Sequence, residues 1–180
     1  MEKSMVGKST ARKFKWFWPW QDEQEEEWLR ALALKGLHLR SSDGAGFYTF
    51  EQGQPAEIAY RLDYNTLEKK DKEQYLQLFR DAGWEHVGEM NGWQYFRKPV
   101  ADGESEEIFT DNESKIQKYK RFLYETLAFM PIYLIFFIIL DTNERPLLYG
   151  IILSFFTVCF VLLCGIAVKV YLRIGALKKL

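Results

Sequence analysis

Along residues 13 to 99, apolar positions change period repeatedly, from two to about 3.6 residues and back. Phe122 to Leu140 and Leu147 to Val168, by contrast, are nearly unbroken apolar runs separated only by Asp141 to Pro146. At ~1.5 Å rise per residue each run reaches roughly 30 Å as a helix, the thickness of a bilayer's hydrocarbon core. The pattern predicts a polar-surfaced module followed by a two-helix transmembrane hairpin.

Within the module the pattern occurs twice, about 47 residues apart. The first copy runs KFKWFW, DEQEEEWLRALALKG, LHLRSS, GFYTFEQ and the second IAYRLDY, DKEQYLQLFRDAG, WEHVGEM, GWQYFRK, with Glu26 matching Glu73, Leu29 Leu76, Gly36 Gly83, Gly46 Gly92, Phe47 Trp93 and Phe50 Phe96. Each copy reads as strand, helix, strand, strand. Phe14, Trp16 and Trp18 fall on one face of the first strand, and Ile58, Tyr60, Leu62 and Tyr64 on one face of its counterpart, as a half-buried sheet requires. Asp22 with Glu25, and Asp71 with Gln74, have the spacing of N-cap partners; Gly36 and Gly83 sit where a left-handed C-terminal cap favours glycine. Asp43-Gly44 and Asn91-Gly92 are hairpin turns. The expected fold is α+β, a duplicated β-α-β-β unit whose mainly antiparallel sheet carries two helices on one face, followed by the transmembrane hairpin.

The expected divisions are a flexible N-terminus over 1–12, the duplicated domain over 13–99, an acidic linker over 100–114, a first span over 115–141, an external loop over 142–146, a second span over 147–174 and a cytoplasmic tail over 175–180. The linker carries six acidic residues and no basic one, so it repels itself and stays solvated. Lys115, Lys118, Lys120 and Arg121 precede the first span, Lys169, Arg173, Lys178 and Lys179 close the second, and the loop between has only Arg145. Basic residues favour the cytoplasmic side, which puts both ends there in a multi-pass membrane protein. The N-terminal MEKSMVGKSTARK has no apolar stretch and so does not read as a signal peptide. Gly150 and Ser154 are spaced to pack helices closely.

Charge and chemistry narrow the function. Residues 1–98 hold 15 Lys and Arg against 16 Asp and Glu, so no net basic field attracts a phosphate backbone and nucleic acid is not an expected partner. Cys159 and Cys164 lie in the second apolar run and read as small apolar fillers. His38 and His86, the two histidines, have no Cys, Asp or Glu at ligand or triad spacing, and no phosphate-binding glycine loop or nucleophile motif is present. No catalytic residue, metal or cofactor is expected, and the chain does not read as an enzyme. The acidic run Glu23 to Glu27 complements a helix N-terminus.

The run GWQYFRKP at Gly92 to Pro99, with KFKWFW, the helix ending in Lys-Gly, FYTFEQG and YRLDY, resembles a bacterial family catalogued as a domain of unknown function, number twenty-eight twelve. The resemblance covers about residues 13 to 99. It implies two membrane spans after the domain, a gene beside PadR-type transcriptional regulators and a regulated, membrane-associated role; it supplies no catalytic residues. In topology alone, the two strand-helix-strand-strand units are similar to GyrI-like small-molecule binding domains, whose groove between copies takes hydrophobic or cationic ligands.

Seventeen residues from Phe14 to Arg97 are aromatic, more than one core face needs, so some are expected to line a groove or partner surface. Tyr48, Asp63, Trp93 and Phe96 are the candidate ligand-binding residues, the aromatics supplying stacking surface and Asp63 the charge that receives a cation. Arg61 and Asp63 share a strand face, and their first reading is a cross-strand ion pair, to which the cation site at Asp63 is the functional alternative. The leading reading is a non-enzymatic, membrane-tethered cytoplasmic binding or sensory module, regulatory in role, whose partners are the lipid bilayer and a protein or an apolar or cationic small molecule. Its rival is an accessory subunit of a transporter or envelope enzyme, acting through its transmembrane hairpin.

Overall fold

A computed structural model describes residues 9–66, 69–100, 108, 112–139 and 146–179. Along them the elements run β1 (Thr10–Phe14), α1 (Asp22–Ala33), β2 (Leu37–Ser42), β3 (Phe47–Gln52), β4 (Ile58–Tyr64), α2 (Lys69–Asp81), β5 (Glu85–Met90), β6 (Trp93–Pro99), α3 (Asn112–Ile139) and α4 (Pro146–Leu177). The chain divides into two compact units, Met1–Thr110 and Asp111–Leu180.

The first unit is two β-α-β-β copies in succession, each forming an antiparallel three-stranded sheet of the same order, β1-β3-β2 and β4-β6-β5. The likeness extends to irregularities. β2 is bulged between Leu39 and Ser41, and β5 between His86 and Gly88. Gly36 and Gly83 both have positive φ, 77° and 83°, as do Gly46 and Gly92, 87° and 82°. At Gly83 the reason is a closed C-terminal motif, in which its N–H bonds to Arg80 O at 2.9 Å and that of Trp84 to Phe79 O at 2.9 Å, a reversal that needs the left-handed region. Asn91, φ 48°, and Gly92 make the two-residue turn that suits the twist of the β5–β6 hairpin.

The expected single sheet with both helices on one face is not what forms. Glu25 of α1 reaches Tyr95, whereas Phe79 of α2 stacks on Phe96 at 4.2 Å. Neighbouring strand residues point to opposite faces, so the helices address opposite faces of the second sheet. The residues explain it. Trp93, Gln94, Tyr95 and Phe96 are buried in succession, as are Leu62, Asp63 and Tyr64 opposite them, so this sheet needs cover on both sides. One face is closed by α2 through Ala59, Phe79, Trp84 and Phe96; the other meets α1 and the first copy, where Tyr60, Leu62 and Tyr95 lie buried. Edge strands are capped across the copies: Glu26 accepts the N–H of Leu62 at 2.8 Å, and Tyr60 Oη accepts that of Leu39 at 3.2 Å.

Other boundaries also move. Residues 10–12, expected in the flexible N-terminus, pair with β3, and β1 ends at Phe14, which leaves Trp16 and Trp18 beyond the strand. Val100 and Ile108, from the expected linker, pack on the α2 core. The Asp22–Glu25 cap does not form: Gln21 is the N-cap and Asp22 is inside the helix. The flexible segment's residues 1–8 and the external loop's residues 142–145 lie outside the described residues.

In the second unit α3 and α4 pack on each other, with Tyr133 against Phe156 at 5.7 Å and Phe160 at 6.4 Å. Among the described residues one helical stretch is long and apolar enough to cross a membrane, Gly150–Leu177, with mean hydropathy 2.8 and 6% of its most apolar window buried. Ile151, Phe155, Val158 and Val161 stand exposed along it, which suits lipid rather than water. Its Ser154 and Thr157 hydroxyls donate back to Gly150 O and Leu153 O at 2.7 and 2.8 Å, the satisfaction that polar groups in hydrocarbon need. The first turns of α3 are charged, with Lys115, Lys118, Lys120 and Arg121 ahead of the apolar run.

Phe79, 7% exposed between Tyr75 and Phe96, holds α2 to its sheet. Phe79→Ala is expected to destabilise the first unit by about 3–5 kcal/mol, the usual result of emptying an aromatic core site. Chemical denaturation followed by tryptophan fluorescence measures it, and a loss under about 1 kcal/mol would place the ring outside the core.

Candidate functional site

The four residues nominated from the sequence are all buried, and they lie in three different places. Tyr48, on β3 beneath α1, donates its hydroxyl to Glu25 Oε1 at 2.8 Å. Asp63 accepts the hydroxyl of Tyr75 at 2.8 Å on the α2 side of β4. Phe96 is also on that side, against Phe79. Trp93 points the other way, its ring edge-on to Tyr64 at 5.4 Å. They do not converge on a groove. Arg61, on the same strand, reaches Glu26 of α1 at 3.6 Å.

Two polar arrangements join the copies. In the first, Glu25 Oε1 accepts hydroxyls from Tyr48 of copy one and Tyr95 of copy two, at 2.8 and 2.7 Å. Burial raises the Glu25 pKa above the ordinary 4.5, against the lowering effect of the Tyr95 and Tyr48 hydroxyls. The same burial, with Glu25 alongside, pushes both phenols up, so they remain donors. This cluster is closed to solvent, and its work is to join the two copies.

The second arrangement is an open cleft of about 240 Å3 between the copies, with His38, Glu51 and Gly53 on one side and Ile58, Glu85 and Arg97 on the other. Arg97 holds Glu85 through two hydrogen bonds, Nε to Oε2 at 2.8 Å and Nη2 to Oε1 at 2.6 Å, and its Nη1 donates to Leu39 O at 3.4 Å. These bonds hold the Glu85 carboxyl below the ordinary range and raise Arg97, so both are charged. His38 Nε2 donates to Gln54 O at 2.9 Å. A carbonyl only accepts, so Nε2 carries a proton, and Nδ1 is buried with no hydrogen-bond partner among the described residues. Gly53 admits the imidazole, because a Cβ there would stand 2.9 Å from His38 Cδ2. With Glu51 and Glu85 against Arg97, the lining carries a net negative charge.

Sequence reasoning treated His38 as an ordinary strand residue. Its one local signal is Gly53, which looks like a turn glycine until the ring beside it is known. Among the described residues, no group of three or more His, Cys, Asp or Glu could hold a metal ion. Comparison with protein families finds residues 21–131 matching the family described as "Protein of unknown function (DUF2812)". Comparison with curated proteins and with solved structures finds no match.

Because the Glu25 pKa is raised, the folded state binds a proton more tightly there than the unfolded chain, so this residue's contribution to stability is fully present below pH 4.5 and is lost as pH rises through the raised value. Glu25→Gln keeps an acceptor for the phenols and should flatten that part of the pH–stability profile. Glu25→Leu leaves two buried hydroxyls without an acceptor and should lower stability by about 2–4 kcal/mol. Denaturant titrations from acid to neutral pH read both. An unchanged profile for Glu25→Gln would mean that Glu25 titrates alike in folded and unfolded chains.

Proposed function

We propose that this chain, which belongs to the DUF2812 family, is a membrane-tethered, non-enzymatic binding module of regulatory role that takes a small cationic, donor-rich ligand in the cleft between its two copies. The observation that carries the reading is the composition of that cleft. Both copies contribute to it, and two carboxylates, Glu51 and Glu85, stand in its lining with one guanidinium, Arg97, which gives the cleft a net negative charge. A ligand with N–H donors and positive charge complements such a wall. No nucleophile and base stand together there, which favours binding over catalysis.

The test is titration of the full chain in detergent micelles with spermidine and with tetraphenylphosphonium, followed by calorimetry. Saturable binding is expected, weakened about tenfold by Glu51→Gln, the loss of one charged contact. Gly53→Val, which crowds His38, should weaken it as well. If neither cation binds saturably, the cleft is a structural seam, and the accessory-subunit reading takes precedence.

The tether, in this proposal, is a hairpin of two spans in a bacterial cell membrane, α3 being the first and α4 the second, with both termini cytoplasmic. Its support is the apolar length of α4, the contact of α3 with α4 and the basic residues flanking both runs. A cysteine introduced at Asn143 should react with a membrane-impermeant maleimide added outside cells, and one at Ser105 should react only after lysis. The reverse pattern would invert the topology.

A further inference from the structure

The two copies present the same aromatic cross-strand pair in opposite circumstances. In copy two, Tyr64 and Trp93 face each other at 5.4 Å and are 5% and 8% exposed. In copy one, Phe14 and Phe47 occupy the equivalent positions at 4.9 Å but are 61% and 39% exposed. The chain continues from Phe14 into Trp16 and Trp18, 52% and 37% exposed, with Trp18 stacked on Trp20 at 5.3 Å. One stretch at the rim of the first sheet thus offers three large aromatics in succession, and Phe47 extends them along the neighbouring strand.

Cations border this rim. Arg12 lies over the Phe47 ring at 4.4 Å and pairs with Asp43 at 3.0 Å. Lys15 sits over the Phe17 and Trp28 rings at 4.9 and 5.2 Å, and Lys13 is exposed between them in sequence. Arg12 shares the outer face with Phe14 and Phe47, Lys13 and Lys15 lie on the α1 side of the same rim, and residues 9–21 carry no acid, Asp43 being the carboxylate that pairs with Arg12. Tryptophan and phenylalanine flanked by lysine and arginine are the composition that partitions to the headgroup boundary of an anionic bilayer. A protein partner would suit the aromatics alone; the cationic border selects a surface of distributed negative charge. Residues 100 to 112 join this unit to α3 and can reach only about 40 Å when extended. A bilayer crossed by the chain's own helix is therefore always within range.

We infer that the rim formed by Arg12 to Trp18 and Phe47 is an interfacial docking surface that lays the first unit on the anionic lipid leaflet beside its tether. The inference rests on the tethered reading above. Docked, the unit is held in one orientation, with Glu51, which lines the cleft, four residues along β3 from Phe47, roughly 13 Å away.

The test uses the full chain reconstituted into phosphatidylcholine vesicles with or without phosphatidylglycerol, the acyl chains either plain or brominated. All six tryptophans lie between Trp16 and Trp93, so bromine quenching reports the first unit and not the spans. In phosphatidylglycerol vesicles, brominated chains should lower tryptophan emission by about a third, and raised salt should reverse about half of that loss. Lys13→Glu with Lys15→Glu, and Phe14→Ser with Phe47→Ser, keep every tryptophan and should each reduce the quenching at least about twofold. Circular dichroism of the lysine variant checks the fold, since both side chains are exposed. If the chain floats with the vesicles but is equally unquenched in plain and brominated lipid, or if the variants quench like the parent, the docking surface is refuted. Crosslinking through Phe14 positions to another protein chain, with no quenching, also overturns it. If the chain does not float with vesicles at all, the tether and this inference fail together.

Discussion

One carboxylate holds the two halves of the first unit in a single arrangement. Glu25 is buried, and its Oε1 atom is the common acceptor for a tyrosine from each copy. A buried acid without partners destabilises a fold by several kcal/mol, roughly, so this arrangement tolerates only geometries in which both phenols arrive. The next residue, Glu26, closes the exposed edge of β4 by accepting the Leu62 N–H and approaches Arg61 on the same strand. Two adjacent acids on one helical turn thus set both the depth and the lateral position of α1 against the second copy.

One difference between the copies stands at the point where the helices part company. The residue of α2 that corresponds to Glu25 is Lys72, which reaches outward to Glu89 at 2.5 Å. A lysine there cannot accept tyrosine hydroxyls, so α2 covers its own sheet and does not reach across to the other. The second sheet is consequently enclosed by α2 on one face and by α1 with the first copy on the other, while the outer face of the first sheet keeps its aromatic pair exposed. The seam where the bulged strands β2 and β5 lie side by side leaves room for the cleft, because the strands meet without ladder bonds and Arg97 fills only part of the gap with its reach to Leu39.

Much of the local structure was legible. The paired glycines at 36 and 83 and at 46 and 92 require positive φ, and turn and helix-end chemistry announces that from a few neighbouring residues. The duplicated order of elements follows from those marks and from periodicity. The packing of the copies was not legible, because it depends on partners far apart in the chain. Glu25 at the start of a helix already has a sufficient local explanation in the helix dipole, and only Tyr48 and Tyr95, 23 and 70 residues away, show that it is buried. The succession Trp93 to Phe96 carried a readable hint of a sheet covered on both sides, since a strand with one wet face alternates. Choosing Tyr48, Asp63, Trp93 and Phe96 as groove residues presumed one wet face, and the double cover places them inside.

The surplus of aromatics resolves along the same line. Seven of the seventeen are absorbed by enclosing one sheet twice, which takes Tyr60, Tyr64, Trp93 and Tyr95 on one face and Phe96 with Phe79 and Trp84 on the other, and Tyr48 and Phe50 are buried in the first copy. The exposed ones are not scattered: Phe14, Trp16, Trp18 and Phe47 collect at the rim of the copy that lacks a second cover. Duplication made two equivalent aromatic pairs, and the entry of α1 between the copies buried one of them. The other had either to become polar or to find an environment of its own, and it stayed aromatic with cations beside it. The buried acid that orders the interior therefore also determines which surface of the molecule is left for an apolar, anionic boundary, and that surface lies on the same sheet whose far edge opens into the cleft.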